Sequence, residues 1–465
     1  VAFENFPTVF QDIFQQNMLA RRFEDQLKAL CAYRKTAFRL PVPIRSGESI
    51  TYSRAGRISP VLSDLTPSLN TGLDNGVTGI GGVGAANPTY PFEQWSVFIG
   101  MRPYFLDLNL VQAKEVIADI FKQNQDNLVE NAALSLDLQA MNVAFDAYLG
   151  GSTYIKSGSG TSYIVDNAKG LDTAFATTTI GGNTFPTGAP APVSVSNPLS
   201  VVITHDDGTT EVNTITGVTP EGTNHAVENY AGSGAYSATL TLGTTATLTA
   251  GWTIKAADGP AIYRPNGKPN VSKLTATDTI GAQLIINAVA ELRANGVKSP
   301  LADNTYPCYI DPIVDAQFFT DPQYQIMSQG TVDSPEFKGA RVNKNFGVTF
   351  VPTTNSPAFT ASAGVVARHA IVTGEKYLQM SPFAGTEEAI RSMPDMGVQK
   401  FDIVDDIVFV QRMPLDRAGQ ILSSGWYWIG GYAAPTDATI TSAVLPSASA
   451  ARNKRAVVVQ VASAR

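Results

Sequence analysis

The tightest constraint on this chain lies at Gly150-Gly151. From Tyr104 to Leu149 there is neither glycine nor proline. In the second half of that run Leu134, Leu138, Met141, Phe145 and Tyr148 keep a helical seam. Paired glycines end such a run because glycine enters the left-handed capping conformation without strain. The stretch therefore predicts one long helix. Directly after it the composition changes. Residues 151 to about 270 are rich in Gly, Ser, Thr, Ala and Pro and poor in charge. Short alternating runs follow, LSVVITH, EVNTITGV, AYSATLTLG and GWTIKAA, with Asp207-Gly208 as a hairpin turn between the first two. This region predicts an all-β domain, sandwich or barrel, inserted into an α+β frame. APAPVSVSNP within it reads as a loop or linker.

Before the helix, Val9, Phe10, Ile13, Phe14 and Met18 recur at helical spacing behind Pro7. That face packs into a core or lies as an arm on a neighbouring subunit. SGESITYSRAGRISPV, residues 46–61, alternates as a strand, with Ile50, Tyr52 and Arg54 on one side and Thr51 and Ser53 on the other. A Gly- and Asn-rich stretch leads to FEQWSVFIGM, a returning strand with Trp95, Val97 and Ile99 on one face. An isolated two-stranded excursion is marginal in water, so this one needs something outside itself to lie on.

Helical spacing returns at TDTIGAQLIINAVAELRANG, where Thr277 caps the start, Ile280, Leu284, Ala288 and Leu292 form the apolar face and Gly296 ends the helix. FGVTFVPTTNSP, HAIVTGEKYLQM and FDIVDDIVFVQRM each read as an apolar strand, and GWYWIGGYAAP as an aromatic, extended tail.

Several kinds of chemistry are disfavoured. The net charge is −7, which opposes a protein that grips nucleic acid or acidic lipid by charge. Charged residues make up 16% of the chain, against roughly 25% in an ordinary domain, so much of the surface is neutral or covered by a partner. Cys31 and Cys308 are too few for a disulfide framework or a cysteine-based zinc site, and fit buried, reduced thiols. No apolar run reaches the length needed to cross a bilayer. The start lacks the pattern of a secretion signal, and Val1 implies removal of an initiator Met or a propeptide.

Gly79, Gly81 and Gly84 satisfy G-x-G-x-x-G, but AANPTYP follows and cannot open the helix that a dinucleotide site needs. His205-Asp206-Asp207 sits on the hairpin turn, where aspartate serves the turn itself; a weak calcium site there stays open. Asp402, Asp405 and Asp406 read as solvated strand ends. TYPCYIDPIVDAQFFTDPQYQ, residues 305–325, has the look of an acidic site. Local structure accounts for it: Asp311 caps a helix with Pro312 in its first turn, Asp315 suits the helix dipole, and Asp321-Pro322 repeats the device. No catalytic residue, metal or cofactor is expected.

The order of these features resembles the major capsid proteins of tailed double-stranded DNA phages, the Hong Kong 97 fold also found in encapsulins. The resemblance rests on Ile310-Asp311-Pro312 between a strand and a short helix, then on Gly347, Val348, Phe350, Val351, Pro352 and Thr353. HAIVTGEKYLQM and FDIVDDIVFVQRMPLDRAGQILSSGWYWIGG resemble the strands that follow. It implies an N-terminal arm over 1–45, an extended loop over 46–102, a peripheral domain with a spine helix over 103–150, a β insertion over 151–270, an axial domain over 271–395, and a return to the peripheral domain over 396–465. It also implies hexamers and pentamers of an icosahedral shell around double-stranded DNA, bound without sequence specificity, with scaffolding, portal and cement proteins as partners. Synthesis would occur in a bacterial cytoplasm, with no membrane involved. Phe10, Phe14, Arg54, Arg57 and Trp95 are the expected interface residues, with Arg54 and Arg57 facing a neighbour's acids. Asp311, Pro312, Gly347 and Pro352 are the expected turn and cap residues. Some family members cross-link through a lysine on the extended loop, whereas no lysine occurs here between Lys35 and Lys114. An encapsulin-like cargo shell and a β-rich surface or tail adhesin are the alternatives.

Overall fold

The computed structural model describes residues 32–43, 48–55, 92–109, 117–180, 183–225, 236–328, 344–362, 365–385, 399–412, 421–437 and 451–463. The expected N-terminal helix with Phe10 and Phe14, Cys31, Arg57 and the Gly79–Gly84 motif lie outside the described residues. In chain order the elements begin with α1 (Tyr33–Thr36), β1 (Phe38–Arg39), β2 (Ser49–Ala55), β3 (Phe92–Phe98), β4 (Gly100–Asn109) and α2 (Ile117–Tyr148). Then come β5 (Ser152–Ser159), β6 (Ser162–Val165), β7 (Thr173–Ile180), β8 (Asn183–Pro192), β9 (Leu199–Thr204), β10 (Thr210–His225), β11 (Tyr236–Leu242), β12 (Thr253–Ala256) and β13 (Ile262–Tyr263). Next are α3 (Ala282–Ala294), β14 (Tyr306–Ile310), α4 (Pro312–Gln317), α5 (Pro322–Ser328), β15 (Lys344–Asn345), β16 (Val348–Pro352), β17 (Ala358–Ser362) and β18 (Val365–Thr373). The last are β19 (Gln379–Pro382), β20 (Gln399–Val404), β21 (Ile407–Arg412), β22 (Ile421–Ala433) and β23 (Ala456–Ser463).

The chain divides into two units, and the first comprises Val1–Ile50, Ser96–Met141 and Leu378–Ala433. Its sheet runs β1-β19-β22-β21-β20, with β4 also paired to β22. The strand β22 organises it: β4 lies along one edge from Ile421↔Asn109 to Gly430↔Gly100, and β21 along the other. Here the expected single helix over 104–149 is corrected. Residues 104–109 belong to β4, because Tyr104 to Asn109 find backbone partners in β22, and the helix begins at Ile117. Of the expected seam Met141, Phe145 and Tyr148 are buried, and Leu128, Ala132, Leu136, Ala140 and Ala144 are fully buried as well. Leu134 and Leu138 are only half-buried.

The FDIVDDIVFVQRM stretch is a hairpin rather than one strand. Val404 pairs with Ile407, and the turn residues Asp405 and Asp406 both have positive φ (50° and 66°). These acids are turn residues with cation partners, not solvated strand ends. The Arg34 guanidinium reaches Asp405 Oδ2 at 3.1 Å, and Arg39 pairs with Asp406. Asp137 of α2, fully buried, accepts the Tyr33 and Arg34 amides at 2.8 and 3.2 Å and so holds the start of α1.

The second unit, Thr51–Trp95, Asn142–Tyr377 and Ala434–Arg465, contains a closed barrel of order β10-β11-β6-β5-β12-β9. Leu199, Val201 and Ile203 point inward while their neighbours point out, which is the alternation that closes a small barrel on a side-chain-filled interior. Ile155, Tyr163, Val165, Ile215, Leu240 and Ile254 complete that core. The expected boundary near 270 moves back, since the barrel ends with β12 and β13 already joins another sheet. APAPVSVSNP is also corrected: Ala189–Pro192 end β8, which pairs with β7 in a separate hairpin from Thr173↔Pro192 to Ile180↔Asn183.

That other sheet runs β13-β23-β18-β14-β16-β15, with β17 beside β18. HAIVTGEKYLQM is therefore two strands, β18 here and β19 in the first unit, parted where Gly374 donates to Arg455 O at 2.7 Å. The strand β14 is buried at every position, parallel to β16 and antiparallel to β18. Ile285, Ala288, Val289 and Leu292 of α3 pack on Cys308, Ile310, Val348, Phe350, Val457 and Val459. At the end of α3, Gly296 (φ 71°) donates to Arg293 O and Val297 donates to Leu292 O, both at 3.0 Å. Those two bonds satisfy carbonyls the helix leaves open.

Candidate functional site

The acid-rich stretch from Thr305 to Gln325 resolves into helix caps. Asp311 Oδ1 accepts the Ile313 amide at 2.8 Å and its carbonyl accepts Asp315 N at 2.9 Å, with Pro312 in the first helical turn. The other carboxylate oxygen of Asp311 meets Arg368 at 2.7 Å. Asp321 Oδ1 accepts Gln323 N at 3.0 Å, which caps α5. Its Oδ2 accepts Ala282 N at 2.6 Å, which caps α3. Thr277 therefore does not cap α3: the helix starts later, behind Gly281, and a residue far along the chain supplies the acceptor. Cys308 is fully buried, and burial, then the nearby Asp315, pushes its thiol well above its ordinary range. Such a thiol is a core residue, not a nucleophile.

Gly347 and Phe346 form the two-residue turn between β15 and β16, and both have positive φ (79° and 58°). Pro352 ends β16 opposite Ile310. His369 is fully buried; its Nδ1 donates to Pro357 O at 2.8 Å and its Nε2 accepts from Gln460 at 3.0 Å. Gln460 in turn accepts from Arg264 at 2.6 Å. Burial lowers the imidazole to about 4, the bond to Pro357 opposing and Arg264 adding to that drop. On the barrel, Asp207 accepts the Thr209 hydroxyl at 2.7 Å and amide at 2.9 Å. Those two bonds hold its carboxyl below the usual range. His205 stacks on Trp252 at 3.8 Å, and Asp206 meets Lys273 at 2.9 Å.

The features left without an internal purpose are surfaces. The strands β2 and β3 form a two-stranded ribbon with no third strand among the described residues. Ile50, Tyr52 and Arg54 are half-buried, while Thr51 and Ser53 are exposed. Trp95 stacks on Tyr52 at 6.1 Å and lies under the Arg54 guanidinium at 5.2 Å. Arg54 also reaches Asp437 Oδ1 at 2.5 Å and Thr436 O at 2.6 Å. This acid belongs to the same chain. In the first unit, Phe98 is 73% exposed, Met101 56%, Tyr104 44% and Phe105 50%. Sequence reasoning missed this strip, although the odd run MRPYFLDLN, neither helical nor cleanly alternating, could have marked it. Asp437 was missed as well, having no motif around it.

Among the described residues no group of three or more His, Cys, Asp and Glu could hold a metal ion, and no helix is long and apolar enough to cross a membrane. No family model matches the chain, and no curated protein matches it. Among solved structures it is similar to the capsid of Ralstonia phage GP4, at 12% identity and a TM-score of 0.46 over 93% of this chain and 91% of that one. It is also similar to the capsid of cyanophage P-SCSP1u, at 10% identity and a TM-score of 0.45 over 92% and 87%. The Helicobacter pylori bacteriophage KHP30 capsid is similar at 8% identity and a TM-score of 0.43, over 91% of this chain and 87% of that chain.

Proposed function

We propose that this chain is the major coat subunit of a double-stranded DNA phage, a structural protein that assembles with copies of itself into an icosahedral shell. The observation that carries the reading is the strip Phe98, Met101, Tyr104 and Phe105. It lies on β4 and the end of β3, next in sequence to a ribbon with no third strand. Large apolar side chains gathered on one outer strand mark a protein contact. The conspicuous acids and the buried thiol, by contrast, have structural roles already described.

In this reading the β2–β3 ribbon is the extended loop, α2 the spine helix, the first unit's sheet the peripheral domain and the second unit's open sheet the axial domain. The barrel is an insertion. Phe10, Phe14, Arg57 and Trp95 contact neighbours, and Arg54 fixes the root of the ribbon. Scaffolding, portal and cement proteins would act on this subunit, and the acidic chain would enclose DNA without gripping it. Electron microscopy and sedimentation of the purified chain test the proposal. Closed particles built of hexamers and pentamers are expected. A chain that stays monomeric at every concentration, with or without co-expressed scaffold, would sink it.

A further inference from the structure

Two two-stranded ribbons, β2–β3 and β7–β8, are rooted on two segments that bond to each other. The first is β2–β3. Its Arg54 meets Asp437 at 2.5 Å and Thr436 O at 2.6 Å, and its Gln94 carbonyl accepts the Thr436 hydroxyl at 3.0 Å. The second is β7–β8. Arg452 donates to Thr173 Oγ1 at 3.1 Å and to Thr173 O at 3.0 Å.

The two anchor points are joined directly. Asp437 N donates to Arg452 O at 2.7 Å. Arg455 donates to both carboxylate oxygens of Asp437 at 3.1 Å, and its Nη1 reaches Glu375 O at 3.0 Å. Arg452 is itself locked on Asp258, by Nε at 3.0 Å and Nη2 at 2.8 Å, with its amide on Asp258 O at 2.7 Å. A single carboxylate therefore faces two guanidinium groups, and its backbone fixes the arginine that holds the second ribbon. Neither ribbon has a third strand to steady it among the described residues. The two roots are joined by the backbone bond from Asp437 N to Arg452 O.

We propose that Thr436–Asp437 and Arg452–Arg455 form a clamp that couples the two ribbons, so that ordering either one stiffens the other. Resting on the coat-subunit reading, this makes the clamp a cooperative element of assembly. A neighbour seated on the β2–β3 ribbon prepares the β7–β8 ribbon for its own contact. Coupling of this kind needs no change of shape, because the first contact removes disorder that the second would otherwise have to remove.

Hydrogen exchange on the full-length, unassembled chain tests it, with peptides covering Ser49–Ala55 and Thr173–Ile180. Asp437→Asn removes the charge between Arg54 and Arg455. Exchange should rise in both ribbons by roughly 5- to 30-fold, the effect of losing one or two kcal/mol of local stability. Arg452→Lys alters the side-chain bonds to Thr173 and Asp258, yet it should also raise exchange in Ser49–Ala55. Asn197→Ala is the control. Asn197 Nδ2 donates to Ala174 O at 3.1 Å, outside the clamp, so its loss should stay within β7–β8. Changes confined in every variant to the ribbon whose own anchor was altered would overturn the coupling. If Asp437→Asn fails to fold, the Arg452→Lys arm decides alone. The readout does not require a shell: coupling without particles would refute the coat reading and leave the clamp, and particles without coupling would do the reverse.

Discussion

The side chain of Asp321 accepts Ala282 N at 2.6 Å through one oxygen and Gln323 N at 3.0 Å through the other. One residue thus caps two helices that are remote in sequence. A cap is worth about 0.5–2 kcal/mol, so Asp321→Ala should cost about 1–4 kcal/mol, more than a one-helix cap would. Asp321→Asn keeps one acceptor and should fall between. Urea unfolding of the three proteins measures this, and equal midpoints for Asn and Ala would contradict the double role.

His369 makes stability depend on pH. Its folded value of about 4 lies below the ordinary imidazole value, so between the two the unfolded chain binds a proton that the folded chain refuses. The stabilisation is complete above about pH 6.5 and is lost as pH falls toward 4. At about 1.4 kcal/mol per pKa unit, the loss reaches about 3 kcal/mol. His369→Gln should remove most of this dependence. Denaturation at pH 7 and pH 4.5 compares the two, and parallel losses in wild type and variant would refute it.

Gly347 has φ 79°, and a Cβ there would sit 3.2 Å from the Arg293 guanidinium. Gly347→Ala should therefore destabilise by about 1–2 kcal/mol, and thermal unfolding would report it. A neutral or stabilising result would mean that the turn relaxes to another conformation.

The coat-subunit proposal gives a fourth expectation. Phe98→Ser and Phe105→Ser act on side chains already 73% and 50% exposed, so subunit stability should change by about 0.5 kcal/mol or less. Particle yield on sedimentation should drop sharply. Unchanged yield would remove the strip from the interface.

The last concerns covalent chemistry. On the coat-subunit proposal, and with no lysine between Lys35 and Lys114, mature particles should run as single subunits on a denaturing gel. A ladder of higher species would show that cross-linking uses another lysine.

Local signals were readable and long-range ones were not. Asp311-Pro312, Asp207-Gly208 and Gly296 each act through bonds within a few residues, so sequence spacing suffices to place them. Alternation made a β domain legible, sandwich or barrel, and its closure into a barrel came only from the strand pairing. Thr277 misled because the true acceptor for α3 is Asp321, which only the tertiary fold brings near. The stretch over 104–109 misled because it contains no breaker, yet pairing with β22 outweighs helical preference. Arg54 and Asp437 lie 383 residues apart in sequence, so their pairing is beyond any local pattern.

The strand β23 pairs along its whole length with β18, from Val366↔Ser463 to Thr373↔Ala456, and also with β13. A ribosome finishes β14, β16 and β18 well before residues 456–463 emerge, so the open sheet lacks an interior strand until that later stretch has been made. A message cut short before that point yields a polypeptide with β18 and β13 still unpaired on the side β23 would fill. Such a fragment keeps two strand edges open on that side, where another chain can add in place of β23.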